Sequence, residues 1–222
     1  MGTVPTVGSK GTQVCRLAAL LAACGLAALP LPSATSAGVS PLGHVRVIMH
    51  GLTLLRPRAV PAPARVGERL FGADGLQTRQ AQRASVAFFD GSILDLDQRT
   101  EVVFRSVKLI ELTTGRIAEV DASGRRQRVQ TNAAVATALG TRFAVFITPK
   151  GGSSYPTGSS GSVVLTPGST TVSVVAGVVR VANPYGSVRV RAGEWTHVTP
   201  GHAPTKPKKH NAAADVAWTV GL

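Results

Sequence analysis

Ala84-Ser85-Val86-Ala87-Phe88-Phe89-Asp90-Gly91-Ser92-Ile93-Leu94-Asp95-Leu96 carries the clearest structural pattern in the chain. Apolar residues recur at every second position on both sides of Asp90-Gly91, the pattern of two half-buried strands joined by a tight turn. A two-residue loop would set Phe88 opposite Ile93 and so match an inward residue with an outward one. A three-residue loop, Asp90-Gly91-Ser92, avoids this. It puts Phe88 opposite Leu94 and Val86 opposite Leu96, with Gly91 or Ser92 in the φ > 0 conformation such a loop needs. The expectation is a bulged hairpin with Val86, Phe88, Leu94 and Leu96 inward, Asp90 and Gly91 acting as turn chemistry.

Outward from this hairpin the same grammar repeats. Val45 to Met49 and Leu52 to Leu55 read as short strands around His50-Gly51, followed by a Pro-rich connector from Pro57 to Pro63. Downstream, strands are expected at Val102 to Phe104, Lys108 to Leu112, Arg116 to Val120 and Val129 to Asn132, with Arg125 to Arg128 as a basic turn. Ala133 to Leu139 has helical propensity but is too short to stand alone and reads as extended or turn-like. Another strand opens at the Gly140 turn and runs to Ile147. The Gly/Ser-rich 150–162 stretch reads as a flexible loop. From Thr171, Val172 and Val174 face Val181 and Val179 across a turn at Ala176-Gly177, and Val188 and Val190 continue that face. Ser173, Arg180, Arg189 and Arg191 then point outward. Turn signals every 8 to 12 residues make the chain all-β, a single domain of short strands arranged as a stacked β-roll or solenoid, with a β-sandwich as the alternative.

The N-terminus bears on location. Lys10 and Arg16 precede an apolar run from Leu17 to Leu31 and a small-residue stretch ending at Ala37, the layout of a secretory signal peptide. Gly25 and Pro30 interrupt the run, which falls short of the roughly 20 apolar residues of a membrane span. Leu21-Ala22-Ala23-Cys24 resembles a lipoprotein box, so lipidation of Cys24 and anchoring to a membrane form the alternative to simple cleavage near Ala37. Both cysteines, Cys15 and Cys24, lie in this segment. Cleavage near Ala37 leaves no thiol for a disulfide, a zinc site or a nucleophile. It also lowers the formal charge only from +13 to +11, and an exported chain this basic favours an anionic partner.

Catalytic signatures are wanting. His44, His50, His197, His202 and His210 are scattered without paired-ligand spacing, and no nucleophile elbow occurs. His197 reads as a surface histidine. Asp95 and Asp97 read as a solvated strand face, because two carboxylates fall short of the six or more oxygens calcium requires. No metal and no cofactor are expected. Arg180, Arg189 and Arg191 are the candidate ligand-binding residues: on one sheet face, each guanidinium can grip a phosphate or carboxylate in bidentate fashion. Bases would need aromatic platforms, and only Tyr185 and Trp195 are near, so nucleic acid is excluded as a partner.

Five pieces in order carry a family resemblance: Gly67-x-x-Leu70-x-x-x-Asp74-x-Leu76-x-Thr78; Ala84-x-Val86-x-Phe88-x-Asp90-Gly91-Ser92-x-Leu94-x-Leu96; Gly140-Thr141-x-Phe143; Thr171-Val172-x-Val174-x-x-Gly177-x-Val179-x-Val181; and Val188-x-Val190-x-Ala192-Gly193-Glu194. Together they resemble the FecR domain family, from about Val45 to about Gly201. The resemblance implies a mainly β domain of the bacterial envelope. In the iron-uptake members that domain belongs to a membrane-spanning anti-sigma regulator responding to an outer-membrane transporter. The organisation expected here is a signal peptide (1–37), leading strands and connector (38–61), a FecR-like domain (62–205), and a basic tail with a C-terminal segment (206–222). The function so implied is a non-catalytic module of the periplasm or cell envelope that binds a protein or an anionic envelope component. An accessory role in anti-sigma signalling is the alternative; an enzyme acting on envelope polymers is the least favoured. Trp218 either folds back over a sheet edge or apolar patch or hangs free behind Lys206 to His210, and direct binding to a transporter's signalling domain is not expected.

Overall fold

The computed structural model describes residues 40–122, 124, 126–149 and 168–222. The expected signal peptide, both cysteines with the Cys24 lipidation site, Arg125 and the 150–162 loop lie outside them. The first strands are β1 (Gly43–Met49), β2 (Thr53–Leu55), β3 (Ala62–Pro63), β4 (Arg69–Leu70), β5 (Gly75–Gln77) and β6 (Arg83–Phe88). Then come β7 (Ile93–Leu96), β8 (Glu101–Ser106), β9 (Leu109–Thr114), β10 (Arg116–Val120), β11 (Arg126–Gln130) and β12 (Val135–Leu139). The last are β13 (Arg142–Thr148), β14 (Ser169–Ala176), β15 (Val178–Asn183), β16 (Gly186–Arg191), β17 (Glu194–Val198) and β18 (Lys208–Lys209). A single helical turn, α1 (Ala212–Asp215), and a 3-10 turn at Ala217–Thr219 close the chain.

Two nine-stranded sheets result, and the chain crosses between them every one or two strands. Sheet A runs β18-β17-β14-β13-β10-β7-β6-β1-β4, and sheet B runs β16-β15-β12-β11-β9-β8-β5-β2-β3. Neighbours are antiparallel except β9 and β11, which are parallel. One hydrophobic core lies between the sheets, to which both contribute their alternate residues. Phe88 of sheet A meets Phe104 of sheet B edge-on at 5.8 Å between ring centroids. Aliphatic residues fill most of the rest, each contributing about 1.5 to 3 kcal/mol on burial. Two of the outer strands carry residues that discourage further pairing: Pro63 on β3 lacks a donor, and β18 is a pair of exposed lysines.

The hairpin at Asp90-Gly91 forms with the expected inward set, since Val86, Phe88, Leu94 and Leu96 are all buried. Its register differs by two residues. Val86 lies opposite Leu94 and Ala84 opposite Leu96, while the Phe88 amide donates to the Ser92 carbonyl. The three-residue loop is therefore Phe89-Asp90-Gly91, with Gly91 at φ 89° and the Asp90 carboxylate accepting from the Ser92 amide at 3.0 Å. In such a loop the last residue is left-handed, and this register gives that position to glycine instead of serine. A shift of two preserves the faces.

Other expectations need correction. Arg126 to Arg128 belong to strand β11, not to a basic turn, because Gln127 and Val129 point into the core. β14 and β15 are not ladder neighbours: the chain changes sheets at Ala176-Gly177, so their valines meet across the core. Lys208 and Lys209 are held in an edge strand against β17, so Lys206 to His210 is no free tether. Ser173 is outward by alternation yet fully buried, and Asp97 is buried in an ion-pair cluster instead of solvated. The C-terminal segment lies across the outer face of sheet A: α1 rests on β14, the strand of Ser173, Val216 and Trp218 pack on Ala118 and Ala144, and the Trp218 ring lies against the two arginines that pair with Asp97.

Candidate functional site

Four adjacent strands of sheet B, β11, β12, β15 and β16, present the arginines. Inward residues on these strands include Gln127, Val129, Ala136, Ala138, Val179, Val181 and Val190, all buried, and the period of two then forces the residues between them outward. Arg128 lies opposite Thr137, Thr137 opposite Arg180, and Arg180 opposite Arg189, so three arginines share one row across four strands. The neighbouring row places Arg126 opposite Leu139 and Val178 opposite Arg191. At normal strand spacing the row spans about 14 Å. All five arginines are exposed.

The charge of this face is uncompensated. None of the five makes an ion pair with a described carboxylate; Arg180 reaches only the Ser187 hydroxyl, at 3.5 Å. Glu194, the nearby acid, accepts from the Arg191 backbone amide at 2.8 Å. Like charges directly across a ladder destabilise it, and Arg180 against Arg189 is such a pair. An anion seated between them would relieve the repulsion while accepting bidentate hydrogen bonds. Leu139 and Val178, 58% and 44% exposed, give the same face an apolar centre.

The structure brings Arg180, Arg189 and Arg191 onto one face and adds Arg126 and Arg128. Sequence reasoning missed the last two by taking 125–128 as a turn; the alternation Arg126-x-Arg128-x-Gln130 was the available signal. Gly140 and Gly177 sit at turns with φ 60° and 86°, and the Gly140 amide donates to Asp121 at 2.7 Å. His197 is half-buried with its Nδ1 3.1 Å from the Thr171 hydroxyl. Among the described residues, no group of three or more His, Cys, Asp or Glu could hold a metal ion, and no helix is long and apolar enough to cross a membrane. His210 and Asp215 form a pair at 3.0 Å beside a cavity of about 260 Å³ lined also by Phe146, Thr171 and Trp195. The Thr171 hydroxyl in this lining shares its hydrogen bond with His197.

The protein is thus defined as an all-β, two-sheet domain whose best-formed candidate site is a charged sheet face. Residues 74–180 match the sequence model of the family described as FecR protein. The match lies within the longer stretch read from the sequence motifs and runs from the residue before β5 to Arg180 in β15. Two crystal structures of a candidate anti-sigma factor from Parabacteroides distasonis ATCC 8503, at 1.65 Å and 2.50 Å resolution, are similar in fold. Each has a TM-score of 0.50, at 20% and 21% identity over 66% of this chain. The chain spans 65% and 64% of those chains. No curated protein matches the sequence.

Proposed function

We propose that this protein is a non-catalytic binding and sensing module of the bacterial envelope, with the arginine face of sheet B as the surface that takes an anionic partner. The observation that carries this reading is the cross-strand Arg180–Arg189 pair, flanked by Arg128 and Arg191, with no described carboxylate neutralising any of them. A sheet tolerates that repulsion at a cost, which an anionic ligand would offset. The FecR match supports placing the module in envelope signalling, and the apolar centre at Leu139 and Val178 suits an acidic protein surface better than a bare polyanion.

Retention on immobilised heparin, used as a defined polyanion, tests the charge requirement. Arg180→Glu with Arg189→Glu is expected to abolish retention at about 0.15 M salt, where screening limits exposed charges to about 8 Å. The matched control is Arg58→Glu with Arg65→Glu, which reverses two exposed charges outside the face and is expected to retain binding. Equal losses in the two double variants would reduce the effect to net charge and refute the site.

A second reading, an accessory component of an anti-sigma system, is favoured by the fold shared with the P. distasonis protein. Co-purification with a sigma factor or its membrane regulator would support it.

A further inference from the structure

The outer face of sheet A carries a row of small and polar side chains crossing five strands. Ser85 lies opposite Asp95, Asp95 opposite Ala118, Ala118 opposite Ala144, and Ala144 opposite Ser173. Such residues leave a shallow trough between the larger side chains of neighbouring rows. The C-terminal segment fills it: α1 rests on β14, and Val216 and Trp218 are buried against Ala118 and Ala144. A four-residue helix and a 3-10 turn have no stability of their own, so the segment is held by what it touches.

What it touches is built like a receptor for a peptide. Asp97, nearly fully buried, fixes two arginines: Arg83 Nε at 2.9 Å from Oδ1 and Arg116 Nε at 2.9 Å from Oδ2. Both guanidinium groups lie over the Trp218 ring, at 6.0 Å and 5.2 Å from its centroid, within cation–π range. Arg83 Nη1 also donates to the Trp218 carbonyl at 3.5 Å, and Arg46 Nη2 donates to the Leu222 carbonyl at 2.5 Å. Two side chains in a trough and two main-chain carbonyls in arginine clamps are the elements of short-peptide recognition.

The covered surface is poorly suited to permanent burial. Ser173 Oγ is buried without a hydrogen-bond partner, and burial raises the Asp95 carboxyl above its ordinary range despite its 2.6 Å bond from Ser85 and the opposing charges of Arg46 and Arg142. Ser173 belongs to β14, on which α1 rests, so departure of the segment gives its hydroxyl access to water and recovers part of what opening loses. Segments held this way open below the free energy of global unfolding.

We propose that the outer face of sheet A is a peptide-binding groove whose resident occupant is the chain's own segment 211–222, displaceable by a partner segment that carries an aliphatic residue two positions before a tryptophan. The groove is separate from the arginine face and does not depend on its reading. The tether keeps the resident segment at an effective concentration on the order of millimolar, so a free peptide competes poorly until the resident is weakened.

The test is fluorescence anisotropy with a labelled peptide of residues 211–222, titrated against the full chain carrying Trp218→Ala and against wild type. The variant is expected to bind at least tenfold more tightly than wild type. A peptide with alanine in place of its tryptophan, or the further substitution Arg116→Gln in the protein, is expected to lose that binding. A folded Trp218→Ala chain that does not distinguish the two peptides overturns the proposal. Should that variant fail to fold, native-state hydrogen exchange of wild type decides. Amides of 213–220 exchanging well before those of β6, β10 and β13 support a displaceable segment; exchange only on global unfolding makes it a fixed part of the fold and overturns the proposal.

Discussion

Glu119 is a carboxyl in the hydrophobic core, and replacing it by Gln should change how stability depends on pH. It sits on β10 between Leu94 of β7 and Phe143 of β13, fully buried, with neither oxygen hydrogen-bonded. Burial, reinforced by the negative charges of Asp121 and Asp90, pushes its pKa from 4.5 up to about 8. Gln127 is the polar neighbour that opposes this shift, but its own Nε2 is unpartnered, so the opposing pull is weak. The native protein therefore holds Glu119 protonated at pH 7, while the unfolded chain ionises it. Folded protein binds the extra proton, so the contribution of Glu119 to stability is fully present below about pH 4.5 and is lost as pH rises towards about 8, flattening above. At about 1.4 kcal/mol per pH unit the loss is about 3 kcal/mol by pH 7 and about 5 kcal/mol across the window. Glu119→Gln keeps the shape and removes the titration. Urea unfolding of both proteins from pH 4.5 to 8.5 should give two curves that separate steadily, the variant becoming the more stable by about 3 kcal/mol at pH 7 relative to the difference at pH 4.5. Parallel curves would show that Glu119 is not held protonated and would refute the reasoning.

Phe88→Ala removes a buried ring packed edge-on against Phe104 and should cost about 3 to 5 kcal/mol; an unchanged melting temperature would contradict the inward face of the hairpin. Gly115 has φ 87°, and an added Cβ would lie 2.5 Å from Thr100 Cα and 2.5 Å from the Arg99 carbonyl oxygen. Gly115→Ala should therefore lose about 3 kcal/mol through strain and overlap together, measured by denaturant midpoint, whereas Gly124→Ala, where a Cβ meets nothing within 4 Å, should lose less.

Three of the five arginines of the candidate face were legible before the structure, and the reason lies in β15 and β16. There, valines alternate with arginines without a break, so the inward set names the outward one. In β11 the alternation is masked, since Gln127 occupies a core position and the run Arg125 to Arg128 has the composition of a loop. A buried glutamine cannot be told from an exposed one by its type. The same blindness hid Glu119, whose neighbours in space come from β7 and β13, remote in sequence.

Local pattern by itself determined that this chain is all-β, which residues of the regularly alternating strands face inward, and that a three-residue loop turns the hairpin at Asp90-Gly91, because alternation and left-handed turns depend only on neighbouring residues; the register that ends this loop on Gly91 instead of Ser92 came from the structure. Tertiary structure decided which sheet each strand joins, since the alternation of Val172-x-Val174 and Val179-x-Val181 is the same whether the two strands pair side by side or face each other across a core. It also decided the fate of the outer face of sheet A. Ala118 and Ala144 lie on that outer face, and only the return of Val216 and Trp218 from the far end of the sequence gives them a hydrophobic cover.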